Sequence, residues 1–168
     1  QAKKFLDENH IQGWTSGTHY LALLHHEQPV AVMVLKKTDK TGLVLRLERF
    51  ATSASVPGGQ SKLIRHAERT IAGWEALVTF ADLEVSDGNL YEQSGWVKDG
   101  ELPPDYRYAI QGRREHKFNY RLRRFSRDPA LRYEEGKTEK ELAALNGLWR
   151  VWDSGKIRYK YDRRQSQK

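Results

Sequence analysis

Residues 49–63 read RFATSASVPGGQSKL, and this stretch decides the fold. It begins as a strand, passes through a segment rich in Ser, Pro and Gly, and continues into residues 61–74, where apolar side chains recur at helical spacing. Glycines let backbone N–H groups approach an anion closely, and the positive end of a helix dipole stabilises phosphate by about 0.3–1 kcal/mol per charge. The stretch therefore predicts either a phosphate-binding turn or a tight turn that needs glycine only for its backbone angles.

The segments on either side of this stretch predict a mixed α/β sheet. Alternating apolar residues indicate strands, and apolar residues three and four apart indicate helices. The remaining predicted elements are a helix over 2–9, a hairpin of 20–24 and 30–36, a half-buried strand over 43–50, a buried strand over 76–81, a short helix over 89–94, and a pair of closing strands over 96–98 and 106–110.

Composition excludes several classes of site. The 168 residues include no cysteine, so disulfides, thiolate metal sites and a cysteine nucleophile are excluded. We predict no metal site. No apolar run approaches the roughly 18 residues that a bilayer-spanning helix needs, and no signal segment opens the chain. We therefore expect a soluble protein of the cytoplasm.

Positive charge is concentrated in the last third of the chain. Residues 1–110 contain 12 Lys and Arg against 14 Asp and Glu, whereas residues 111–168 contain 17 against 8. The first segment has a net charge of −2 and the second of +9. This asymmetry predicts two domains, an α/β domain over 1–110 and a basic module over 111–168 that faces nucleic acid.

The second half of the fold pattern lies beyond the glycine loop. Residues 80–82 read FAD, and residues 88–96 read GNLYEQSGW. This sequence resembles the GNAT superfamily of acyl-CoA N-acyltransferases, whose late helix reads approximately Asn…Leu-Tyr-Glu-x-x-Gly-Phe and follows a glycine-loop helix and one strand. The resemblance implies a GNAT-like mixed central sheet flanked by helices, with the basic region as a small C-terminal α+β appendage.

A narrower resemblance covers roughly residues 2–110 and points to phage proteins. Mom-type DNA modification proteins have the pattern Phe-Ala-Asp, Gly and Tyr-Gln-x-x-x-Trp, which is similar to 80–82, Gly88 and 91–96. A GNAT-like module beside Vsr-like homing endonucleases is similar at residues 5–6, 9–13, 49–50, 58–59, 61–63, 82 and 89–92. Mom-type proteins are associated with modifying the exocyclic amine of adenine with a group derived from acetyl-CoA. This resemblance implies acetyl-CoA or another acyl-CoA as cofactor and a phage-infected bacterial cell as location.

The GNAT resemblance also implies a site. In that family the glycine loop holds the pyrophosphate of acyl-CoA, and the residue corresponding to Tyr91 lies near the thioester sulfur as a general acid. The implied cofactor-binding residues are Phe50, Gly58, Gly59, Gln60, Ser61 and Lys62. Acyl transfer to a poor nucleophile needs a base or metal, a donor for the developing oxyanion and an acid for the thiolate. The catalytic candidates are His10, Arg49, Asp82 and Tyr91, although turn-forming roles for His10 and Asp82 stay open.

The basic segment alternates cations with aromatic residues over 113–127. Cations neutralise phosphates and release counterions, and aromatic rings stack on extruded bases. Thr138 and Glu141 predict a capping box at the start of a helix, and residues 149–152 and 157–161 predict a terminal hairpin. The predicted nucleic-acid contacts are Arg113, Arg114, Lys117, Arg121, Arg123, Arg124, Lys156, Arg158 and Lys160, with Arg127, Arg150, Arg163 and Arg164 nearby. A merely solvated basic face is the alternative.

Three functions follow from these patterns. The first is a phage-type GNAT-fold transferase that uses acyl-CoA to modify DNA bases, which Asp82 and Tyr91 favour. The second is a non-catalytic GNAT-like DNA-binding module that positions a nuclease or another partner on DNA. Val56 and Pro57 favour this second function, because proline removes a backbone donor from the glycine loop. The third, a general N-acetyltransferase, explains the core and leaves the basic region without a role.

Overall fold

The strand and the helix on either side of the glycine loop form as the sequence predicts. The structure is a computed structural model that describes residues 1–163, so Arg164 lies outside the described residues. Its elements are α1 (Ala2–Asn9), β1 (His19–His25), β2 (Gln28–Lys37), β3 (Val44–Thr52), α2 (Gly59–Thr70), β4 (Ala76–Asp82), α3 (Asn89–Gln93), β5 (Val97–Leu102), β6 (Tyr106–Ile110), β7 (Arg113–His116), a 3₁₀ helix (Lys117–Tyr120), α4 (Leu122–Phe125), α5 (Glu139–Leu145), β8 (Trp149–Trp152) and β9 (Lys156–Asp162).

The chain divides into two compact units. Among the described residues, the first unit contains 1–101 and 157–163, and the second unit contains 102–156. Across the described part of both units, no helix combines the length and the apolar character that a bilayer crossing requires.

A mixed sheet forms the centre of the first unit. Within the described residues it has six strands in the order β1-β2-β3-β4-β9-β5. The β1–β2 and β2–β3 pairs are antiparallel, whereas β3 and β4 run parallel. The predicted α/β class, with a mixed sheet flanked by helices, is confirmed.

Helices cover both faces of this sheet. On one face α2 buries Leu63, Ile64 and Ala67, which lie three and four residues apart and so share one side of the helix. Full burial of a Leu or Ile side chain contributes about 1.5–3 kcal/mol. Side chains of β2 alternate between faces, and the opposite face is covered by α1. The cluster under α1 consists of Phe5, Leu6, Val32, Val34 and Ala51.

A bulge in β3 changes which face its side chains occupy. Val34 and Leu35 are adjacent in β2, but their partners in β3, Arg49 and Leu47, are two residues apart. Glu48 is therefore an extra residue in β3. Leu47 therefore points with Leu35 towards the α2 face. Arg49, by contrast, shares the α1 face with Val34.

The parallel pairing of β3 and β4 is short. It joins Val44–Arg46 to Ala76–Val78 and ends there within the described residues, although β3 continues to Thr52 and β4 to Asp82. The two strands therefore part in the middle of the sheet, immediately before the bulge at Glu48. We refer to the interval between their unpaired carboxyl-terminal halves as the gap, and the loop that follows β3 leads to Gly59 at the start of α2.

The second unit has its own sheet and core. In the part of the chain that the structure describes, three of its strands form a sheet in the order β7-β6-β8. Its core consists of Tyr108, Tyr120, Phe125, Leu142, Ala143 and Leu148. The predicted capping box is confirmed, because Thr138 Oγ1 accepts from the Glu141 amide and Glu141 Oε2 accepts from the Thr138 amide. The α+β character predicted for the basic region is thus present.

Two predicted strand pairings are wrong. The strand over 106–110 does not close on β5, and the segments over 149–152 and 157–161 do not form a terminal hairpin. Instead β8 pairs with β6, and β9 lies between β4 and β5 in the six-stranded sheet. The basic unit is therefore an insertion between two neighbouring strands of the central sheet. Its bounds, 102 and 156, differ from the predicted 111 and 168.

The residues at the base of the insertion explain the exchange of partners. Pro103 and Pro104 follow β5, and proline cannot donate to a strand ladder, which disfavours a tight hairpin there. The two chain segments meet instead at Asp105 and Asp153, where the Asp105 amide donates to Asp153 Oδ1 over 2.8 Å and the Asp153 amide donates to the Asp105 carbonyl over 2.8 Å. The Asp105 amide and the Lys156 ammonium lower the pKa of Asp153 to about 2.

Substitution of Gly88 tests how closely α3 packs against β9. Its φ is +84°, and a Cβ there would lie 2.2 Å from the buried Tyr159 hydroxyl oxygen. Gly73 has a similar φ of +82° but open space around it. We expect Gly73→Ala to lower the free energy of unfolding by about 1–2 kcal/mol through backbone strain. Gly88→Ala should lower it by about 1–3 kcal/mol more, because the methyl group overpacks the site. Urea unfolding measures both values, and equal losses would contradict the contact.

Candidate active site

Three groups meet where β3 and β4 part. The Thr79 hydroxyl oxygen lies 3.2 Å from the Leu47 carbonyl oxygen, and the Tyr91 hydroxyl oxygen lies 3.5 Å from the Thr79 hydroxyl oxygen. Thr79 is 2 % exposed. A carbonyl only accepts, so Thr79 donates its proton to Leu47. Because 3.5 Å is long for an O–H···O contact, the proton of Tyr91 is only weakly engaged by Thr79.

Aromatic contacts fix the position of Tyr91. Its ring centroid lies 5.6 Å from that of Trp96 in an edge-to-face arrangement and 5.2 Å from that of Tyr159. Tyr159 is fully buried and donates a hydrogen bond to Glu92 Oε1 over 3.0 Å. Neighbouring residues of α3 are thus attached to β9 by ring packing and by a hydrogen bond. Tyr91 itself is half-buried, so its position is set while part of its surface remains accessible.

The glycine turn is open at the start of α2. Gly58 is the N-cap residue with a left-handed φ of +65°, and a Cβ there would meet no atom within 4 Å. No side chain caps the helix N-terminus. The Gly59 amide donates to the Val56 carbonyl over 2.9 Å, so the Gln60 and Ser61 amides are the first-turn donors that depend on another acceptor. Gly59 is buried, and a Cβ there would meet Val56 Cγ1 at 3.2 Å and Phe50 Cζ at 3.7 Å. Gly58 is therefore needed for its left-handed backbone and leaves the turn open to solvent, whereas Gly59 is needed for close packing against Val56 and Phe50.

Gln60 is a buried polar residue whose side-chain groups are unpaired. It is 2 % exposed, and neither its Oε1 nor its Nε2 has a hydrogen-bond partner among the described residues. Gln60 lies on the same side of α2 as Ile64 and Ala67, which face the sheet. An unsatisfied buried polar group costs about 1–3 kcal/mol. A buried amide of this kind beside an uncapped helix N-terminus suits a polar ligand that enters the gap.

His10 and Arg49 lie on the other face of the sheet. Arg49 donates from Nε to the Gly13 carbonyl over 3.1 Å and from a terminal nitrogen to the Glu48 carbonyl over 2.6 Å. The Gln12 amide donates to His10 Nδ1 over 3.1 Å, so the neutral ring carries its proton on Nε2. Burial and the nearby Arg49 guanidinium lower the pKa of His10 below its usual 6.5. His10 is therefore neutral at pH 7 and presents an N–H donor.

Asp82 lies at the carboxyl end of β4 and is half-exposed. Its Oδ1 accepts from the Glu84 amide over 3.2 Å, and its carbonyl accepts from the Val85 and Ser86 amides. This is the turn-forming role that the sequence left open. Within the described residues no hydrogen bond or ion pair joins Asp82 to the other catalytic candidates.

The predicted catalytic residues form two groups rather than one. Tyr91 belongs to the α2 face, and His10 with Arg49 belongs to the α1 face, on either side of the strand that carries the bulge. Thr79, which lies between Tyr91 and the Leu47 carbonyl, is not among the site residues that the sequence predicts. A polar residue within the apolar run ALVTFA was the signal that could have identified it. Of the predicted cofactor residues, Ser61 is half-exposed and Lys62 is exposed in the first turn of α2.

The residues predicted to contact nucleic acid differ in their location and in the ion pairs that they form. Arg158 and Lys160 lie in β9 of the first unit and pair with Asp99 and Asp162. Among the predicted residues of the second unit, Lys117 pairs with Asp105, Arg121 with Glu139, Arg124 with Asp128 and Lys156 with Asp153. Arg113, Arg114 and Arg123 are exposed. Their contact with nucleic acid stays a prediction.

The fold is similar to that of solved N-acetyltransferases. The ribosomal-protein-S18-alanine N-acetyltransferase from Escherichia coli matches with a TM-score of 0.53 and 13 % identity, over 96 % of this chain and 84 % of that chain. A protein described as a GNAT-family acetyltransferase, from Desulfovibrio desulfuricans, has a TM-score of 0.49 and 12 % identity, over 86 % and 67 % of the two chains. A GNAT acetyltransferase from Elizabethkingia anophelis, with acetyl-CoA bound, has a TM-score of 0.43 and 14 % identity, over 85 % and 74 %.

These identities establish the fold alone. No protein-family model and no curated protein sequence matches the chain. The chain has the GNAT fold, as the sequence resemblance predicts, with a mixed sheet flanked by helices.

Replacing Gln60 tests whether its polar groups are unpaired in the free protein. Gln60→Leu removes two unsatisfied buried atoms and keeps most of the side-chain volume, so it should raise the free energy of unfolding by about 1–3 kcal/mol. Gln28→Leu, at an exposed position of β2, is the matched control and should change stability little. Chemical denaturation measures both. A loss of stability in Gln60→Leu would show that the amide is already paired.

The lowered pKa of His10 predicts a pH dependence of stability. The unfolded chain binds a proton near pH 6.5, whereas the folded chain binds it at lower pH. The contribution of neutral His10 is therefore complete above pH 6.5 and is lost as the pH falls from 6.5 through the folded pKa. Relative to His10→Gln, the wild-type protein should lose stability over this window, as urea unfolding between pH 8 and pH 5 would show. A constant difference would contradict the environment described for His10.

Proposed function

We propose that this chain is an acyl-CoA-dependent N-acyltransferase whose acceptor is a base of DNA. One observation carries the proposal: the weakly engaged Tyr91 hydroxyl lies 3.5 Å from Thr79, at the point where β3 and β4 part. Parting strands leave backbone groups of the sheet interior available to a ligand, and buried backbone groups need partners. An acid beside such a gap suits a reaction that expels a thiolate.

The residues around the gap fit acyl-CoA. The uncapped first turn of α2, with the open Gly58 before it, provides amide donors and a helix dipole for a pyrophosphate. The exposed Lys62 adds a cation in the same turn. The unpaired amide of Gln60 offers both a donor and an acceptor. Acyl-CoA, when bound, supplies the acyl group in activated form as a thioester.

In the proposed reaction one side chain of the protein donates a proton to the leaving group and another accepts a proton from the acceptor amine. Tyr91 donates its hydroxyl proton to the departing sulfur as the C–S bond breaks and the new C–N bond forms. His10 and Arg49 lie on the opposite face of the sheet from Tyr91 and take no part in this step. Asp82, half-exposed at the end of β4, takes the proton that the acceptor nitrogen loses. General acid catalysis typically contributes about 10²–10⁴ in rate.

The charge of the second unit supports nucleic acid as the acceptor. Residues 102–156 hold thirteen Lys and Arg against eight Asp and Glu, a net charge of +5. In the chain order this basic unit is inserted between β5 and β9, two neighbouring strands of the central sheet, and Tyr91 of α3 packs on Tyr159 of β9. DNA-base acylation of the Mom type, in a phage-infected cell, combines these two features. The Escherichia coli enzyme, by its name, acetylates an alanine of a ribosomal protein, so an acceptor amine on a macromolecule has a precedent on this fold.

A second candidate is a non-catalytic DNA-binding scaffold that positions a nuclease or another partner. The glycine turn favours it in one respect, because the Gly59 amide already donates to the Val56 carbonyl over 2.9 Å and Pro57 has no amide proton. Fewer donors then remain for a pyrophosphate. A general N-acetyltransferase is the third candidate, and its acceptor would be a protein or small-molecule amine.

Nucleoside mass spectrometry separates the three candidates. Purified protein, acetyl-CoA and DNA are incubated, and we expect a nucleoside that is heavier by one acetyl group. Tyr91→Phe keeps the ring contacts and removes the acid, so it should lower the rate by about 10²-fold or more. Tyr133→Phe, at an exposed position, is the control and should retain the wild-type rate.

The other results have distinct meanings. Acetylation of amines but not of DNA would support the general acetyltransferase. No acetylated product on either acceptor, together with retained DNA binding, would support the scaffold. Full activity in Tyr91→Phe would remove Tyr91 from the mechanism.

A further inference from the structure

The second unit contains an open concavity lined largely by arginines. Its volume is about 540 Å³, within the range of about 300–1,000 Å³ that small-molecule sites occupy. It lies along the 3₁₀ helix and α4. The lining residues are Phe118, Asn119, Arg121, Arg123, Arg124, Arg127 and Asp128.

Phe118 forms an exposed aromatic platform at this concavity. The side chain is 62 % exposed, although an aromatic ring of this size is normally buried where a core is available. Its ring stacks on His116, with centroids 4.9 Å apart and planes 11° from parallel, and the Arg121 guanidinium lies 4.5 Å from its centroid. The Phe118 amide also donates to His116 Nδ1 over 3.2 Å. The ring is thus held in place while much of its surface faces solvent.

The arginines around the platform have two different roles. Arg121 is held by Glu139 and Arg124 by Asp128, and both also lie over aromatic rings. Arg123 and Arg127 are exposed and form no ion pair within residues 1–163. These two side chains can therefore bind an external anion without losing an internal partner.

We infer that this concavity binds an unstacked nucleotide of single-stranded DNA, with the base on Phe118 and its flanking phosphates at Arg123 and Arg127. His116 stacks on Phe118 and the Arg121 guanidinium lies over the same ring, so a base stacks on Phe118 by taking the place of that guanidinium. Separated phosphates suit Arg123 and Arg127, which form no ion pair within the described residues. An acidic peptide has the anions but no planar group to stack. A base within a duplex is already stacked on both sides, so it is offered to the ring only when it is extruded or single-stranded.

The inference rests on the proposed function, because it names the form in which the DNA acceptor is held. Its test contains no acyl-CoA, so it can succeed when acyl transfer fails. Conversely, acyl transfer to DNA without selective single-strand binding would remove this inference and leave the proposed function in place.

The first experiment measures how much Arg123 and Arg127 contribute to DNA affinity and to its salt dependence. Fluorescence anisotropy follows a labelled thymidine oligonucleotide over a range of salt concentrations, with the whole chain. Arg123→Gln/Arg127→Gln should weaken binding and lower the slope of log affinity against log salt by about 1.4, since each phosphate contact on a single strand contributes about 0.7. Arg132→Gln/Lys140→Gln removes the same charge from exposed positions outside the concavity. An equal change in both variants would overturn the site.

The second experiment measures how much base stacking on Phe118 contributes to DNA affinity. Phe118→Leu keeps apolar bulk and should weaken binding of the intact oligonucleotide by roughly tenfold. It should leave the salt slope and the affinity for an abasic strand of equal length unchanged. Thermal unfolding checks that the variant is folded, as expected for an exposed position. Equal losses on the intact and abasic strands, tighter binding of duplex than of single strand, or competition by polyglutamate as effective as by oligonucleotide would overturn the inference.

Discussion

Two parallel strands, β3 and β4, stay paired only as far as Arg46 and Val78 and then part in the centre of a sheet. Buried backbone groups that lose a ladder partner cost free energy unless another group satisfies them. Thr79 meets one of these needs by donating to the Leu47 carbonyl. The bulge at Glu48 follows at once and turns Arg49 to the opposite face. The gap follows from this parting, and the bulge beside it places Arg49 on the face opposite Tyr91.

The surrounding core makes the open gap possible. Helices α1 and α2 bury separate apolar clusters on the two faces, so the sheet is held together away from the point where the strands part. On the far side, the insertion of β9 between β4 and β5 supplies Tyr159, against which Tyr91 packs. The close approach of α3 to Tyr159 requires a residue without a side chain at position 88. Tyr91 is therefore held by packed aromatic rings, while the side-chain amide of Gln60 has no hydrogen-bond partner among the described residues.

Local patterns predicted most of the first unit, because strand alternation, the glycine turn and helical spacing are visible within short windows. The stretch 49–63 forms the predicted strand, turn and helix. The pairing of β8 and β9 could not be predicted in this way, since each strand exchanges its nearest neighbour in sequence for a distant partner. The bulge and the role of Thr79 were also missed, because both depend on register between strands. For the same reason the cations Arg158 and Lys160 belong to the central sheet, although composition alone grouped them with the basic region.

Calorimetric titration with acetyl-CoA measures whether this ligand binds the free protein, as it must if it fills the gap between β3 and β4 and reaches the first turn of α2. We predict saturable binding with one site per chain and a dissociation constant below the millimolar range. The absence of any binding heat from either acetyl-CoA or CoA at millimolar concentration, over several temperatures, would contradict the account. The parted strands would then be a feature of the scaffold alone.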